Sequence, residues 1–240
     1  MLSEQAVLDQ DLDPRDLEGS PALEAGKKLV LEMIAQWPRS KQHLLQIGCG
    51  SGYFLQAFLE AGFQVTGTDS SREMLKKSRV RLGAKVDLHL AQPEHLHFED
   101  KEFDYSALIN VLEFSQEPEQ ALLEACRVTK KRLLLLFLNR CSMLYLTRKL
   151  RLPFLPSQKS RLQQAHWRSW PELKRLVRYN LGPRPMRAAS VLPGPKWTWS
   201  KNSWWHLPLP VGAICTVELD ISKERLGTPI LAWKAAPKAC

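Results

Sequence analysis

The chain has 240 residues and a mass of 27.5 kDa, the size of one domain or of one domain with a large appendage. Hydrophobic residues make up 44% of it and charged residues 25%, which excludes a chain that is disordered throughout. No apolar run approaches the roughly 18 residues of a membrane-spanning helix, and the acidic N-terminus has no apolar stretch. We therefore expect neither a transmembrane segment nor a secretory signal.

The net charge of +9 is concentrated in one part of the chain. Residues 139–210 contain 14 lysines and arginines, a single acidic residue (Glu172) and six of the eight tryptophans. Net charge bears on partners rather than on fold, so this basic, Trp-rich segment either meets an anionic partner or forms a solvated face.

Five cysteines are scattered along the chain, at positions 49, 126, 141, 215 and 240. None belongs to a CxxC pair, and no Cys/His cluster has the spacing of a zinc site, so no metal site is predicted. An odd, scattered set indicates reduced thiols, which predicts a cytoplasmic protein.

The elements follow in a regular order. Residues 1–19 are predicted to form a flexible acidic leader, and Ser20 with Pro21 marks the start of a helix that Pro38 ends. Apolar patterns then predict alternating strands and helices over residues 43–47, 55–62, 63–68, 70–82, 86–90, 103–109, 118–128 and 132–138. Ser70 and Glu73 have the spacing of a capping box. This alternation predicts βαβ units and a parallel sheet.

The alternation breaks after residue 139. Residues 142–150 favour a short basic amphipathic helix, and residues 171–179 a helix capped by Ser169 and followed by Gly182. The last two strands are predicted at 186–192 and 211–219. They are separated by a Pro- and Trp-rich connection of about 18 residues. Loops of that length in a compact domain are usually functional or mobile. Residues 20–222 are thus predicted to form one domain, with a tail at 223–240.

The motif that bears on chemistry is a glycine turn between a strand and a helix, Gly48-Cys49-Gly50-Ser51-Gly52. Glycines let a ligand approach the backbone, and the helix that follows offers unpaired N–H groups. Asp69 lies 21 residues past Gly48, at the end of the next strand, where an acid binds ribose hydroxyls in folds of this kind. The GxGxG spacing disfavours a dinucleotide, because Tyr53 follows the last glycine.

The runs LLQIGCGSGYFLQAFLEAGFQVTGTDSS and LAQPEHLHFEDKEFDYSALINVLEF resemble the class I S-adenosylmethionine-dependent methyltransferases of the broad small-molecule kind. The resemblance covers about residues 25–140. It implies an α/β, Rossmann-like, doubly wound fold: a mostly parallel seven-stranded sheet with its last strand antiparallel and helices on both faces. It also implies S-adenosylmethionine as the cofactor.

The resemblance assigns roles by position. The glycines would shape the turn around the methionine part of the cofactor, Asp69 would hold its ribose, and Asn110 would lie where the cofactor meets the methyl acceptor. Glu113 and Phe114 stand where such enzymes often have Glu-His. The full set of implied cofactor-binding residues is Gln46, Gly48, Cys49, Gly50, Gly52, Asp69, Ser70, Gln92, Pro93, Asn110 and Val111.

Two positions depart from the family pattern. Gln46 and Gln92 stand where acids are usual, which keeps a hydrogen-bond acceptor but loses its charge. Losing one ionic hydrogen bond costs roughly 1.5–3 kcal/mol of binding, so a weakened cofactor site is one expectation. Cys49 is interpreted as a small filler of the turn rather than as a nucleophile.

Methyl transfer mainly requires that donor and acceptor be aligned, and a general base is optional. Asn110 and His166 are therefore only candidates for catalytic roles. Four tryptophans admit three interpretations: a hydrophobic lid or core, an acceptor pocket, or a face for membrane or RNA (Trp197, Trp199, Trp204 and Trp205). Residues 139–210 are predicted to form a cover over the acceptor site.

The sequence thus favours an enzyme that methylates a small-molecule or lipid-like acceptor at oxygen or carbon. One alternative is an RNA methyltransferase that uses the basic 139–210 segment, because phosphate contacts require such charge. Another is a cofactor-binding protein without catalysis, as the two glutamines suggest. Peripheral contact with a membrane stays open, because Met143, Leu144 and Leu146 with neighbouring basic residues resemble an interfacial helix.

Overall fold

A computed structural model of the chain describes residues 21–142, 165–193 and 204–222. The helices are α1 Pro21–Met33, α2 Tyr53–Glu60, α3 Arg72–Leu82, α4 Pro118–Arg127 and α5 Trp170–Leu181. The strands are β1 His43–Ile47, β2 Gln64–Asp69, β3 Asp87–Leu90, β4 Phe103–Ile109, β5 Thr129–Leu138, β6 Met186–Pro193, β7 Trp204–Leu207 and β8 Ile214–Asp220.

All these strands belong to one sheet, in the order β3-β2-β1-β4-β5-β8-β6-β7. Strands β1 to β5 run parallel to their neighbours, β8 lies antiparallel between β5 and β6, and β7 is antiparallel to β6. The predicted doubly wound, mostly parallel architecture of seven strands with an antiparallel last strand is confirmed. An eighth short strand, β7, extends the sheet. It lies in the Pro- and Trp-rich connection, for which the sequence predicts no strand.

The sheet is covered on both faces. One buried cluster joins α1 and α2 to the sheet, and the other joins α4 and α5 to the opposite face. Strand β5 serves both: Leu134 and Leu136 lie in the first cluster, and Leu135 in the second. A strand buried on both faces needs a continuous apolar run, which is what residues 133–138 supply.

Several predicted boundaries need correction. Helix α1 ends at Met33 rather than near Pro38, and a turn closed by a 2.9 Å bond from Trp37 N to the Ile34 oxygen follows it. Helix α3 is capped by Ser71, whose hydroxyl accepts from Met74 N, and not by Ser70. The expectation for α5 is confirmed, because Ser169 and Glu172 form a capping box.

Some predictions fall outside the described residues: the acidic leader, nearly all of the amphipathic helix at 142–150, Trp197, Trp199 and the tail at 223–240. The side chains of Trp204 and Trp205 are likewise outside the description, although their backbone forms β7. Across the described ranges, no helix has the length and apolar character to cross a membrane.

Candidate functional site

The glycine turn lies between the carboxyl end of β1 and the amino end of α2. Gly48 has a φ of +69°, and a Cβ atom added to it would lie 2.6 Å from Cγ2 of Val111. Gly52, with a φ of +84°, precedes α2, and its Cβ would lie 2.5 Å from the hydroxyl of Ser78. Both the backbone conformation and the close neighbours therefore require glycine at these positions.

Asp69 holds this turn in place. It ends β2 and is 3% exposed, and its Oδ2 accepts a 2.8 Å hydrogen bond from Gly50 N. Its Oδ1 accepts a second, also 2.8 Å, from Ser71 N at the start of α3. Each carboxylate oxygen has further lone-pair capacity, so Asp69 can serve the turn and still accept from a ligand.

A small cavity of about 40 Å³ lies against the turn. Its walls come from the amino end of α1, the glycine turn, the start of α2 and the segment that follows β4. Among the described residues, every lining side chain is uncharged: Leu23, Gln46, Gly48, Cys49, Gly50, Ser51, Tyr53, Phe54, Ile109, Asn110 and Phe114. The cavity therefore offers backbone N–H groups, amides and apolar surface.

Two acceptor atoms at this cavity are buried without a hydrogen-bond partner among the described residues: Oε1 of Gln46 and Oδ1 of Asn110. Gln46 is only 1% exposed, and Asn110 has a φ of +52°, which is unusual for a residue with a side chain. Buried polar atoms are normally hydrogen-bonded, and strained backbone concentrates at functional sites. Both features indicate a ligand that donates hydrogen bonds here.

The thiol of Cys49 has no chemical role in this arrangement. Burial raises its pKa to about 12, so the reactive thiolate is absent near neutral pH. Its Sγ would lie 3.0 Å from a Cβ added to Gly67, which places it in the packing between β1 and β2.

Glu113 forms hydrogen bonds both to the end of β5 and to the segment that precedes α5. It is fully buried, and its Oε1 accepts a 2.9 Å bond from Leu138 N at the end of β5. Its backbone oxygen accepts a 2.9 Å bond from His166 N, and Arg168 N donates to the Leu138 oxygen at 3.3 Å. Burial raises the pKa of the Glu113 carboxyl to about 7. The contacts place His166 beside the segment after β4.

The structure gathers part of the predicted set at the cavity, namely Gln46, Gly48, Cys49, Gly50 and Asn110. The glycine turn ends at Gly52. Asp69 accepts a hydrogen bond from Gly50 N, and Val111 packs close to Gly48. Three other residues of the predicted set, Ser70, Gln92 and Pro93, lie on the loops after β2 and β3 and are not among the described residues that line the cavity. The predicted set lacks lining residues from α1, the glycine turn, α2 and the end of β4: Leu23, Ser51, Tyr53, Phe54 and Ile109.

Residues 45–137 match the family model described as a methyltransferase domain. A malonyl-[acyl-carrier protein] O-methyltransferase of Hamiltonella defensa is 35% identical over 97 residues, which cover 40% of this chain and 37% of that protein. A ubiquinone biosynthesis O-methyltransferase of Hydrogenovibrio crunogenus is 29% identical over 114 residues, with coverages of 45% and 47%. The matched segment thus spans less than half of each of these relatives.

A solved SAM-dependent methyltransferase of Thermotoga maritima has the same fold, with a TM-score of 0.64 and 22% identity over 83% of this chain and 89% of that one. Residues 45–137 thus match a methyltransferase domain, and the described fold is that of a solved S-adenosylmethionine-dependent methyltransferase, the class that the sequence motifs resemble.

Proposed function

We propose that this protein binds S-adenosylmethionine at the glycine turn and transfers its methyl group to a small-molecule or lipid-like acceptor, at oxygen or carbon. The observation that carries the proposal is the pair of unpartnered acceptors, Gln46 Oε1 and Asn110 Oδ1, at a cavity bounded by backbone that only glycine can adopt. The family match over residues 45–137 supports it.

The residues present fit the cofactor. The amide oxygens of Gln46 and Asn110 would accept from the ammonium group of its methionine part, and Asp69 would accept from the ribose hydroxyls. When bound, the cofactor supplies a methyl group on a positively charged sulfur, already activated for displacement.

The protein's own part is then to align the two reactants and to exclude water. No carboxylate, histidine, lysine or arginine is among the described residues that line the cavity, so the site offers alignment without such a base beside the glycine turn. The two curated relatives are O-methyltransferases, which supports oxygen as the atom methylated. We place the acceptor beyond Asn110 and Phe114, where the 139–210 segment, including His166, would cover it.

Calorimetric titration with S-adenosylhomocysteine tests the cofactor site, with NAD as the control ligand. We expect Asp69→Asn to weaken binding at least tenfold, because it removes the charge and replaces one of the two oxygens that accept from Gly50 N and Ser71 N by a donating NH2 group. The matched control is Asp100→Asn, which alters only an exposed ion pair with Arg127 and should bind like the parent protein. A parent protein that binds neither S-adenosylhomocysteine nor S-adenosylmethionine would refute the proposal.

The uncharged Gln46 favours one second candidate, a protein that binds the cofactor without catalysis. The two candidates separate when the protein is incubated with methyl-labelled S-adenosylmethionine and a panel of phenols, quinols, fatty acids, lipid extract and RNA at low salt. A single labelled product excludes the non-catalytic alternative, and a product confined to RNA would favour RNA as the acceptor. The cytoplasmic location and the membrane contact stay predictions.

A further inference from the structure

A second concavity lies on the sheet face that carries α4 and α5, over strands β1 to β3. The chain passes from β3 to β4 through residues 91–102 without forming a helix, so no helix of the described residues covers this part of the face. The result is an open groove of about 830 Å³, within the size range of ligand sites. It is separate from the cavity at the glycine turn, with which it shares no lining residue.

The floor of the groove is aromatic. The rings of His43 and Phe103 lie 4.9 Å apart, Phe98 and Phe103 4.9 Å, and His89 and Phe98 5.3 Å, all in edge-to-face contact. Leu90 beside them is 41% exposed. Strand β3, which carries His89 and Leu90, is the edge strand of the sheet. An apolar floor beside an open strand edge is a surface on which another segment can pack.

The rim of the groove is acidic. Asp87, Glu99 and Glu102 line it, and Arg127, the one arginine among the described lining residues, is already paired with Glu124 and Asp100. Burial lowers the pKa of His43, so this imidazole adds no positive charge at neutral pH. The groove therefore favours an occupant that is apolar in its middle and basic at its ends.

The chain itself supplies such a segment beside the groove. Ser222 N donates to the Lys131 oxygen at 3.1 Å, and the Lys131 ammonium lies 2.8 Å from Oδ1 of Asp104. The other oxygen of Asp104 accepts a 3.0 Å bond from the backbone N–H of His43, a residue that lines the groove. Residue 223 therefore starts beside β5, at the end of the sheet where β1 begins with His43 and two strands away from β1.

The sequence after Ser222 matches the groove in charge and in apolar content. Eighteen residues follow it, with four basic residues and one acid. Their apolar stretch, residues 229–233, reads Pro-Ile-Leu-Ala-Trp and is followed at once by Lys234. At roughly 3.3 Å per extended residue, the ten or so residues between Ser222 and Trp233 reach up to about 35 Å, more than enough to cross three strands about 4.8 Å apart.

We propose that residues 223–240 dock in this groove in the same molecule, with the apolar stretch 229–233 on the aromatic floor and the flanking lysines against the acidic rim. The segment then covers the face that lacks a helix and shields the open edge of β3. This role is independent of the methyltransferase chemistry, because the groove and the glycine turn are separate.

Photo-crosslinking in the full-length protein tests the proposal directly. Trp233 is replaced by p-benzoylphenylalanine, the protein is irradiated, and the crosslinked peptides are mapped by mass spectrometry. We expect a crosslink within one chain to residues 87–103. The matched control places the same crosslinker at Tyr179, an 88% exposed residue of α5, and should not label the groove. A crosslink elsewhere in the chain, a crosslink between two chains, or no crosslink would each overturn the proposal.

Hydrogen exchange gives a second readout that needs no crosslinker. In Trp233→Glu, a carboxylate would face the acidic rim, so we expect the amides of β3 and of residues 91–102 to exchange at least tenfold faster than in the parent protein. Tyr179→Glu is the control and should leave these amides unchanged. Equal exchange in the parent and in Trp233→Glu would contradict the docking, and since no cofactor is present, the result is independent of methyl transfer.

Discussion

Glu113→Gln should change how the stability of this protein depends on pH. Burial raises the pKa of Glu113 from an ordinary 4.5 to about 7, although Leu138 N and the charge of Arg168 act in the opposite direction. Between these two pH values the unfolded chain releases a proton that the folded chain keeps, so the folded state loses stability as pH rises. Below pH 4.5 there is no loss, and above pH 7 the loss is complete and constant.

The size of the loss follows from the same two values. A roughly 300-fold difference in proton affinity corresponds to about 3 kcal/mol. Glutamine does not ionise, and its amide oxygen still accepts from Leu138 N. The Gln variant should therefore match the parent protein near pH 4.5 and exceed its unfolding free energy by about 3 kcal/mol at pH 8. For a chain of this length that is a rise in Tm of roughly 6–12 °C.

Calorimetric melting at pH 4.5, 6, 7 and 8 measures the difference between the two proteins, in which every other titrating group cancels. The matched control is Glu119→Gln, which changes an exposed glutamate of α4. Its unfolding free energy should differ from that of the parent by the same small amount at each pH. A difference between Glu113→Gln and the parent that does not vary with pH would refute the reasoning.

Three further results are expected. Gln46→Asp restores a charge facing the cofactor's ammonium group and should tighten binding of S-adenosylhomocysteine by about tenfold in calorimetry, the value of a charge-assisted hydrogen bond; unchanged affinity would remove Gln46 from the site. Ser169→Ala deletes the cap of α5 and should cost about 1 kcal/mol, seen as a Tm roughly 2–4 °C lower, whereas Ser169→Thr should stay near the parent. At pH 8 the exposed Cys141 should react with a thiol reagent. Cys49 in the native protein should not, because burial raises its pKa to about 12. Equal reaction rates would contradict the burial of Cys49.

The elements that could be predicted are those specified by their own residues. The bounds of strands β1 and β4 match the prediction at both ends, because Gly48 follows the first apolar run and Asn110 the second. The cap of α3 could not be chosen from sequence, since both Ser70 and Ser71 suit the role. Asp69 decides it by accepting from Ser71 N, a contact that depends on where β2 ends. Strand β7 depends on pairing with β6 rather than on any periodicity of its own.

Site residues, too, could be predicted only where they lie together in one stretch of chain. The glycine turn and Asp69 were visible because their spacing is a chemical requirement within one stretch of chain. Leu23 and Tyr53 were missed because they reach the cavity only through the packing of α1 and α2 against the sheet. Asn110 was predicted by its position after β4, but its positive φ and unpartnered oxygen needed coordinates.

The described side chains that line the cavity come from residues 23–114, whereas the proposed acceptor cover begins at residue 139. On the proposed function, the glycine-turn site for the donor therefore precedes the acceptor cover along the chain, and the two meet at Asn110 and Phe114. Such an arrangement is modular: a hybrid that keeps the first stretch and takes the later one from another methyltransferase would inherit its donor from one parent and its substrate range from the other. Selection can likewise alter the second stretch without disturbing the first, which suits a fold shared by enzymes of many different acceptors.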